Sequence, residues 1–191
     1  VEASAALEAE VRAIERDIGA ALPEGYSSEL SLRQPGWLGA LAAVLGRGLA
    51  LFTDYGYSRR EYYHPQRTEG TLACHYRHHW HADPFFLPGL QDITAWVDFS
   101  AAARAARVAG LGVTAYTTQA HFLLATGILQ EMEADVVRDQ GQSPAQLQAR
   151  AAELRRLLMP GEMGERFKLL ALTRDFAPLG DLTVRDMRPA L

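Results

Sequence analysis

The sequence predicts an α/β fold, on three observations. The run "LALFTDYG", residues 49–56, is apolar for the length of a strand and ends in an acid and a glycine. An uninterrupted apolar run of that length fits a strand buried on both faces of a parallel sheet. "GLGVTAYTTQ", residues 110–119, passes from glycine into a β-branched run directly after an alanine-rich stretch, as a helix-to-strand transition does. Around these runs, segments with apolar residues three and four apart alternate with breaks marked by glycine and proline.

Taken in order, Leu7, Val11, Ile14 and Ile18 recur at helical spacing between charges and predict an amphipathic helix over residues 3–21. "LPEGYSSELSLRQPG" is a turn-rich connection. Pro35 precedes a second helix with Trp37, Leu38, Leu41, Val44 and Leu45 on one face, and Gly46 and Gly48 stop it. The first strand is placed at 49–53. Residues 57–91 carry little periodicity and many Tyr, His, Pro and Gly, which predicts a long loop. A structureless loop of that length is uncommon in a compact domain and is usually functional. "DITAWVDF" reads as a short strand or extended segment, and Ser100 as the N-cap of a helix over 101–109. A strand at about 112–117 and a helix over 119–137, ended by Gly141, follow. Ser143-Pro144 then opens a helix running to about Met159 by the cap-then-proline signature. "RFKLLALTRD" supplies a last strand. Three visible strands are few for this many helices, so further strands are expected outside the chain. An opening without Met, already in helical rhythm, points the same way.

At 191 residues the chain is long enough for one domain with its own core and short for two. A hydrophobic share of 48% and a charged share of 22% place it among globular proteins. A net charge of -4 leaves no electrostatic footprint for nucleic acid or an anionic membrane. The longest apolar run, "LGALAAVLGRGLALF", is broken by Arg47 and glycines, so no spanning segment is expected. The single cysteine excludes an internal disulfide and fits a reducing, cytoplasmic location.

Candidate chemistry concentrates in one place. Of six histidines, five fall between His64 and His81, four of them in "CHYRHHWH" at 74–81. His75 with His79, and His78 with His81, have spacings that could pair two imidazoles on a helix, and Asp83 could add an oxygen ligand. Gly70, Pro84 and the interleaved aromatics argue against helix. In an extended segment residues 75, 79 and 81 would share a face with 78 opposite. Cys74 is either a nucleophile beside a histidine base or a small buried hydrophobe. Asp54 ends a strand at its carboxyl end, where ligands bind in open α/β sheets, or else caps the turn with Gly56. Asp92 and Asp98 read as caps by default. No G-x-S-x-G, P-loop or G-x-G-x-x-G is present, so serine-hydrolase and phosphate-loop chemistry have no support.

Read together, several short motifs form a family pattern: Asp54-Tyr55-Gly56, Gly70-Thr71-Leu72, His78 with His81, Pro88-Gly89, Asp92-Ile93-Thr94 and Val97-Asp98-Phe99. Thr118-Gln119, Phe122-Leu123, Gly127-Ile128, Met163-Gly164 and Phe167-Lys168 continue it. In this order, over about 120 residues, they resemble the MidA-type S-adenosylmethionine-dependent methyltransferases, relatives of the mitochondrial complex I assembly methyltransferase. The spellings "REYYHP" and "CHYRHHWH" resemble the bacterial branch.

The resemblance implies that residues 1–191 are the carboxyl-terminal portion of a Rossmann-like class I methyltransferase fold, with extra helices and residues 57–91 as a long loop insertion walling the substrate site. It implies S-adenosylmethionine as cofactor of the complete protein, with the glycine-rich cofactor loop and ribose-binding acid lying outside this chain, which would be inactive alone. Glu2 is read as an ordinary helix residue, not as that acid. A protein substrate with a guanidinium or similar nitrogen acceptor is implied as partner, without nucleic acid or membrane. The catalytic residues implied are Asp54, His78, His81, Asp92 and Asp98. Those on the substrate are Tyr55, Gly56, Thr71, Arg77, Thr94 and Gln119, and no metal is implied. Carboxylates would orient the cationic guanidinium, and an imidazole would take the departing proton. One departure stands out: many relatives carry a histidine where this chain has Trp96, so no catalytic role is assigned there. The alternative from a different class is a metal-dependent hydrolase or metal-binding module on His75, His78, His79, His81 and Asp83.

Overall fold

The first predicted helix forms as α1, Ala5–Ile18, in a computed structural model that describes residues 3–139, 141–177 and 180–191. Glu2 lies outside the described residues. Ser4 caps α1 by accepting from the Leu7 amide, and Gly19 ends it in the left-handed region at φ 76°, three residues short of the predicted end. The second helix, α2 (Gln34–Val44), buries Leu38 and Ala42, with Leu41 and Leu45 packed beside them. Trp37 and Val44, expected on that face, point outward and are 56% and 80% exposed. The buried set 38, 41, 42, 45 is the tighter helical stripe and enters the core, while the Trp37 ring meets Phe52 of the first strand edge-on from its exposed position.

Strand β1 (Gly48–Tyr57) is longer than predicted and is not buried on both faces. It runs antiparallel to β7 (Phe167–Arg174) along most of its length. Among the described residues, its other edge meets only β5 (Val97–Asp98), in parallel, at Gly56 and Tyr57. The sheet order is β5-β1-β7-β6, with β6 (Gly112–Thr118) antiparallel to β7, so the sheet is mixed where a parallel one was expected. The apolar character of 49–53 reflects a strand near a sheet edge, with Leu51 left 45% exposed.

Helix α4 (Phe99–Val108) and α2 cover one face of this sheet, closing a core of Leu38, Ala42, Phe99, Ala102, Ala106, Tyr116, Leu170 and Leu172. Asp98, not Ser100, caps α4 by accepting from the Ala101 amide at 2.9 Å, while Ser100 Oγ accepts from the Arg59 amide. The opposite face holds Ala115, Leu169 and Ala171 under α5 (Gln119–Ala125), through Phe122. The single helix expected over 119–137 is two, α5 and α6 (Ile128–Arg138), because Gly127 takes φ 89° between them. Helix α7 (Pro144–Leu158) starts on a Ser143–Gln146 capping box, and the one-turn α8 (Met163–Arg166) leads into β7.

Residues 57–91 are the largest correction. Instead of a structureless loop they contain the short helix α3 (Arg59–Tyr62) and a hairpin of β2 (Ala73–Tyr76) and β3 (His79–His81). With β4 (Asp92–Thr94) these strands form a second, antiparallel sheet, ordered β3-β2-β4. Short polar strands joined by a two-residue turn carry no period long enough to read, which is why the sheet was invisible in the sequence. A third apolar cluster, Ile14, Tyr62 and Tyr63 with Tyr57 and Trp96 around them, joins this region to α1.

Candidate functional site

A cleft of about 640 Å³ opens where the end of β1 meets the small sheet. Tyr55, Arg77, His78, Asp92 and Thr94, all predicted site residues, line it together with His75, Gln91 and Ile93. Register explains the gathering. His75 pairs with Asp92 and Ala73 with Thr94 across β2 and β4, and Tyr55 pairs with Phe167 across β1 and β7. The Tyr55 ring is held edge-on against Phe167, centroids 5.7 Å apart.

The β2–β3 turn is Arg77–His78, at φ 49° and 67°. Two consecutive positive φ values are the mark of a primed hairpin turn, where Asn-Gly is the relaxed choice. Here both residues carry long or bulky side chains and both line the cleft. Gln91 donates through Nε2 to the Pro84 carbonyl at 2.7 Å, which leaves Oε1 buried without a partner. A buried unpaired carbonyl oxygen is an acceptor waiting for a donor. Asp92 is exposed and takes part in none of the ion pairs among the described residues. The cleft thus offers a carboxylate, a threonine hydroxyl and an aromatic ring beside the Arg77 guanidinium, with the Gln91 amide oxygen buried in its wall. That set matches a planar, donor-rich cation.

The remaining predicted residues lie elsewhere. Asp54 is exposed at the end of β1 and accepts the amide of Tyr55 at 2.8 Å. Gly56 is buried where β5 passes; a Cβ there would stand 2.2 Å from the Val97 carbonyl oxygen, so only glycine fits. Thr71 is a structural hub: its amide and hydroxyl both donate to Glu29 Oε2 at 2.8 Å, and its Oγ1 accepts the Trp96 amide at 3.0 Å. Glu29 Oε1 takes the Leu72 amide as well. Gln119 is buried and donates to the Leu157 carbonyl, anchoring the end of α7. His81 packs edge-on to Phe86 with both ring nitrogens buried and unpartnered, away from the cleft.

Asp98 is enclosed by a charge cluster. Arg59, 3% exposed, donates to Asp98 at 3.0 Å, to Asp17 at 2.7 Å and to Glu10 at 2.9 Å. Arg104 bridges the same Asp17 and Glu10. Burial pushes the Asp98 carboxyl up from its usual range, and the Arg59 guanidinium beside it pulls it back.

The hairpin also separates the histidines. Cys74 pairs with His81 and Tyr76 with His79, so His79 and His81 share one face while His75, opposite Trp80, takes the other. The expectation that 75, 79 and 81 share a face fails because the chain turns back at 77–78. Among the described residues no three His, Cys, Asp or Glu side chains form a group that could hold a metal ion. Cys74 is fully buried. Among the described residues, no helix is long and apolar enough to cross a membrane.

Glu29, Arg59 and Arg67 are structurally engaged polar residues that sequence reasoning passed over, and Lys168 was noted only as part of the Phe167-Lys168 motif. Arg67 packs on both the Tyr57 and Trp96 rings, its guanidinium carbon 5.1 and 4.9 Å from their centres. Only Lys168 carried a signal, as the one charge inside the otherwise uncharged run "FKLLALT". The partners of the others come from positions distant in the chain.

Comparison with known proteins adds a family to this geometry. Residues 1–117, more than half of the chain, match the family model described as "Putative S-adenosyl-L-methionine-dependent methyltransferase". Over 127 residues the chain is 37% identical to the mitochondrial protein arginine methyltransferase NDUFAF7 of Rattus norvegicus and 36% identical to that of Mus musculus. Those alignments cover 65% of this chain and 26% of each relative, so the match spans about a quarter of their length. A superfamily protein from Burkholderia thailandensis, crystallised with S-adenosyl-homocysteine, superposes with a TM-score of 0.83 at 40% identity. The superposition covers 100% of this chain and 47% of that one, and the native crystal form of a Burkholderia thailandensis protein gives the same score over 49%.

Proposed function

The chain belongs to the S-adenosyl-L-methionine-dependent methyltransferase family, and from that premise we propose that it carries the acceptor side of such an enzyme, acting on an arginine side chain of a protein. The observation that carries this reading is the cleft of Tyr55, Asp92, Gln91 and Thr94, whose free acceptors suit a guanidinium. The names of the mammalian relatives support the same acceptor.

S-adenosylmethionine is the family's cofactor and supplies the methyl group when bound. The residues present do not build its cradle. Among the described residues, the longer helices that directly follow main-sheet strands, α4 and α5, begin with side-chain caps already in use, Asp98 on Ala101 and Thr118 on His121. No glycine-rich turn precedes either, and one first-turn amide of each helix is already taken by its cap. In this reading the cofactor side of the site lies in sequence outside this chain.

What these residues can do is hold the acceptor. Asp92 pairs with the guanidinium, Gln91 Oε1 and Thr94 Oγ1 accept its remaining donors, and Tyr55 lies alongside its plane. A guanidinium nitrogen that gains a methyl group sheds a proton, and of the two imidazoles lining the cleft, His75 on β2 and His78 on the turn, His78 is the one assigned to take it. Orientation of this kind accounts for much of the rate of a transfer reaction. Asp54, Asp98, His81, Gly56, Thr71 and Gln119 support the cleft's architecture in this reading without lining it.

The test is transfer of a labelled methyl group to arginine peptides by the complete protein. Asp92→Asn is expected to lower the rate by about a hundredfold or more, with the unfolding midpoint unchanged, and the 191-residue chain alone is expected to be silent. Full activity of Asp92→Asn would remove the cleft from the reaction, and label on a residue other than arginine would replace the acceptor.

A further inference from the structure

Lys168 is an anomaly of the main sheet. It sits in β7 between apolar neighbours, is only 5% exposed, and faces Asp54 on β1 and Thr118 on β6 in register. Neither answers its charge. Asp54 Oδ1 takes the amide of Tyr55, and Thr118 Oγ1 lies 2.8 Å from His121 Nδ1. The ammonium instead donates to the backbone carbonyl of Glu165 and stands 4.9 Å from the centre of the Tyr57 ring. A backbone carbonyl and a ring face leave most of a lysine's donor capacity unused.

The ammonium borders a second cleft, of about 340 Å³, at the carboxyl ends of β1 and β6. Arg166 and Arg185 line it too, and neither they nor Lys168 enters any ion pair among the described residues. Burial lowers the Lys168 pKa from its ordinary value, and Glu61 and Glu165 offset that only in part. A largely dehydrated cation with no bound carboxylate is costly to keep unless a ligand compensates it.

We propose that this cleft is a binding subsite for a carboxylate, an acidic side chain or chain terminus of a protein. Lys168 and the Arg185 fork receive it, in a cleft that shares no lining residue with that of Asp92. Charge selects the carboxylate: three cations and two carboxylates, Glu61 and Glu165, line the cleft, which leaves one net positive charge. That balance suits a monoanion and disfavours a phosphate dianion. The subsite stands independently of methyl transfer, because its evidence is Lys168 and its surroundings.

The test is titration of the ¹⁵N-labelled 191-residue chain with N-acetylglycine, a monoanionic mimic of a chain terminus, against N-acetylglycinamide, its neutral counterpart. Saturable amide shifts at Thr118, His121 and Lys168 are expected with the acid and not with the amide. Lys168→Met should weaken the acid by about tenfold or more. Arg185 is exposed, so Arg185→Gln keeps the fold and should weaken it by about threefold. Equal response to acid and amide, or unchanged affinity in Arg185→Gln and in a folded Lys168→Met, overturns the subsite. Tighter saturation by inorganic phosphate than by the acid overturns the choice of carboxylate.

Discussion

Asp92 and Asp98 lie six residues apart in "DITAWVD", yet the structure treats them oppositely. Asp98 is enclosed: its side chain is 10% exposed, it caps α4, and it pairs with Arg59, which also holds Asp17 and Glu10. Asp92 stands exposed beside a strained turn and an unpartnered amide oxygen. The difference teaches how to sort polar residues in this fold. Where every charge is answered by another part of the chain, the group maintains architecture. Where charges and acceptors are left unanswered around a cleft, the answer is to come from a ligand.

The largest expected effect comes from breaking the answered cluster. Arg59→Met should cost about 3–5 kcal/mol, because it leaves Asp98 buried without its cation. Arg104 would still bridge Glu10 and Asp17, so the loss traces to Asp98. Urea unfolding measures it, and Arg59→Met with Asp98→Leu should recover much of the loss. A cost below about 1 kcal/mol for the single variant would mean that pairing does not hold this region.

A smaller loss is expected at Glu29, whose carboxylate receives the Thr71 amide and hydroxyl and the Leu72 amide. Glu29→Ala should cost about 2 kcal/mol, in the range for hydrogen bonds to a charged group. Hydrogen exchange at the Thr71 and Leu72 amides should accelerate, while amides in β7 keep their protection. Exchange that rises equally everywhere would make Glu29 a general stabiliser and not a latch for this segment.

These residues also mark how far the sequence could be read. The α/β class, most of the helices and the last two strands follow from periodicity and caps, which are local. Gly56 was legible as part of a motif, but its reason, the approach of the Val97 carbonyl, is tertiary. The second sheet was not legible, because strands of three and four residues with a two-residue turn leave no period. Five of the eleven residues expected in the site line one cleft: Tyr55, Arg77, His78, Asp92 and Thr94. Asp98 was weighed as a cap, and it is one, but that Arg59 would bring three carboxylates together from positions 10, 17 and 98 could not be read from spacing. Charge pairing across 39 to 49 residues leaves no trace in a local pattern.

The smallest expected effect has the opposite sign, and that makes it the sharpest probe of the contrast. Arg77 and His78 hold φ 49° and 67°, where Asn and Gly rest with less strain. Replacing both, Arg77→Asn with His78→Gly, should raise stability by about 1 kcal/mol. The same double variant should reduce methyl transfer by the complete protein, because the cleft loses the His78 imidazole and the Arg77 cation together, with His75 left in place. Removing a charge from the Arg59 cluster costs stability; removing one here is expected to yield it. A protein that keeps a strained turn of large side chains against a relaxed alternative is holding those side chains for something they bind. If the variant is more stable and equally active, the strain is incidental and the site lies elsewhere at the sheet's carboxyl end. If it is less stable, the turn belongs with Arg59, among the groups that maintain the fold.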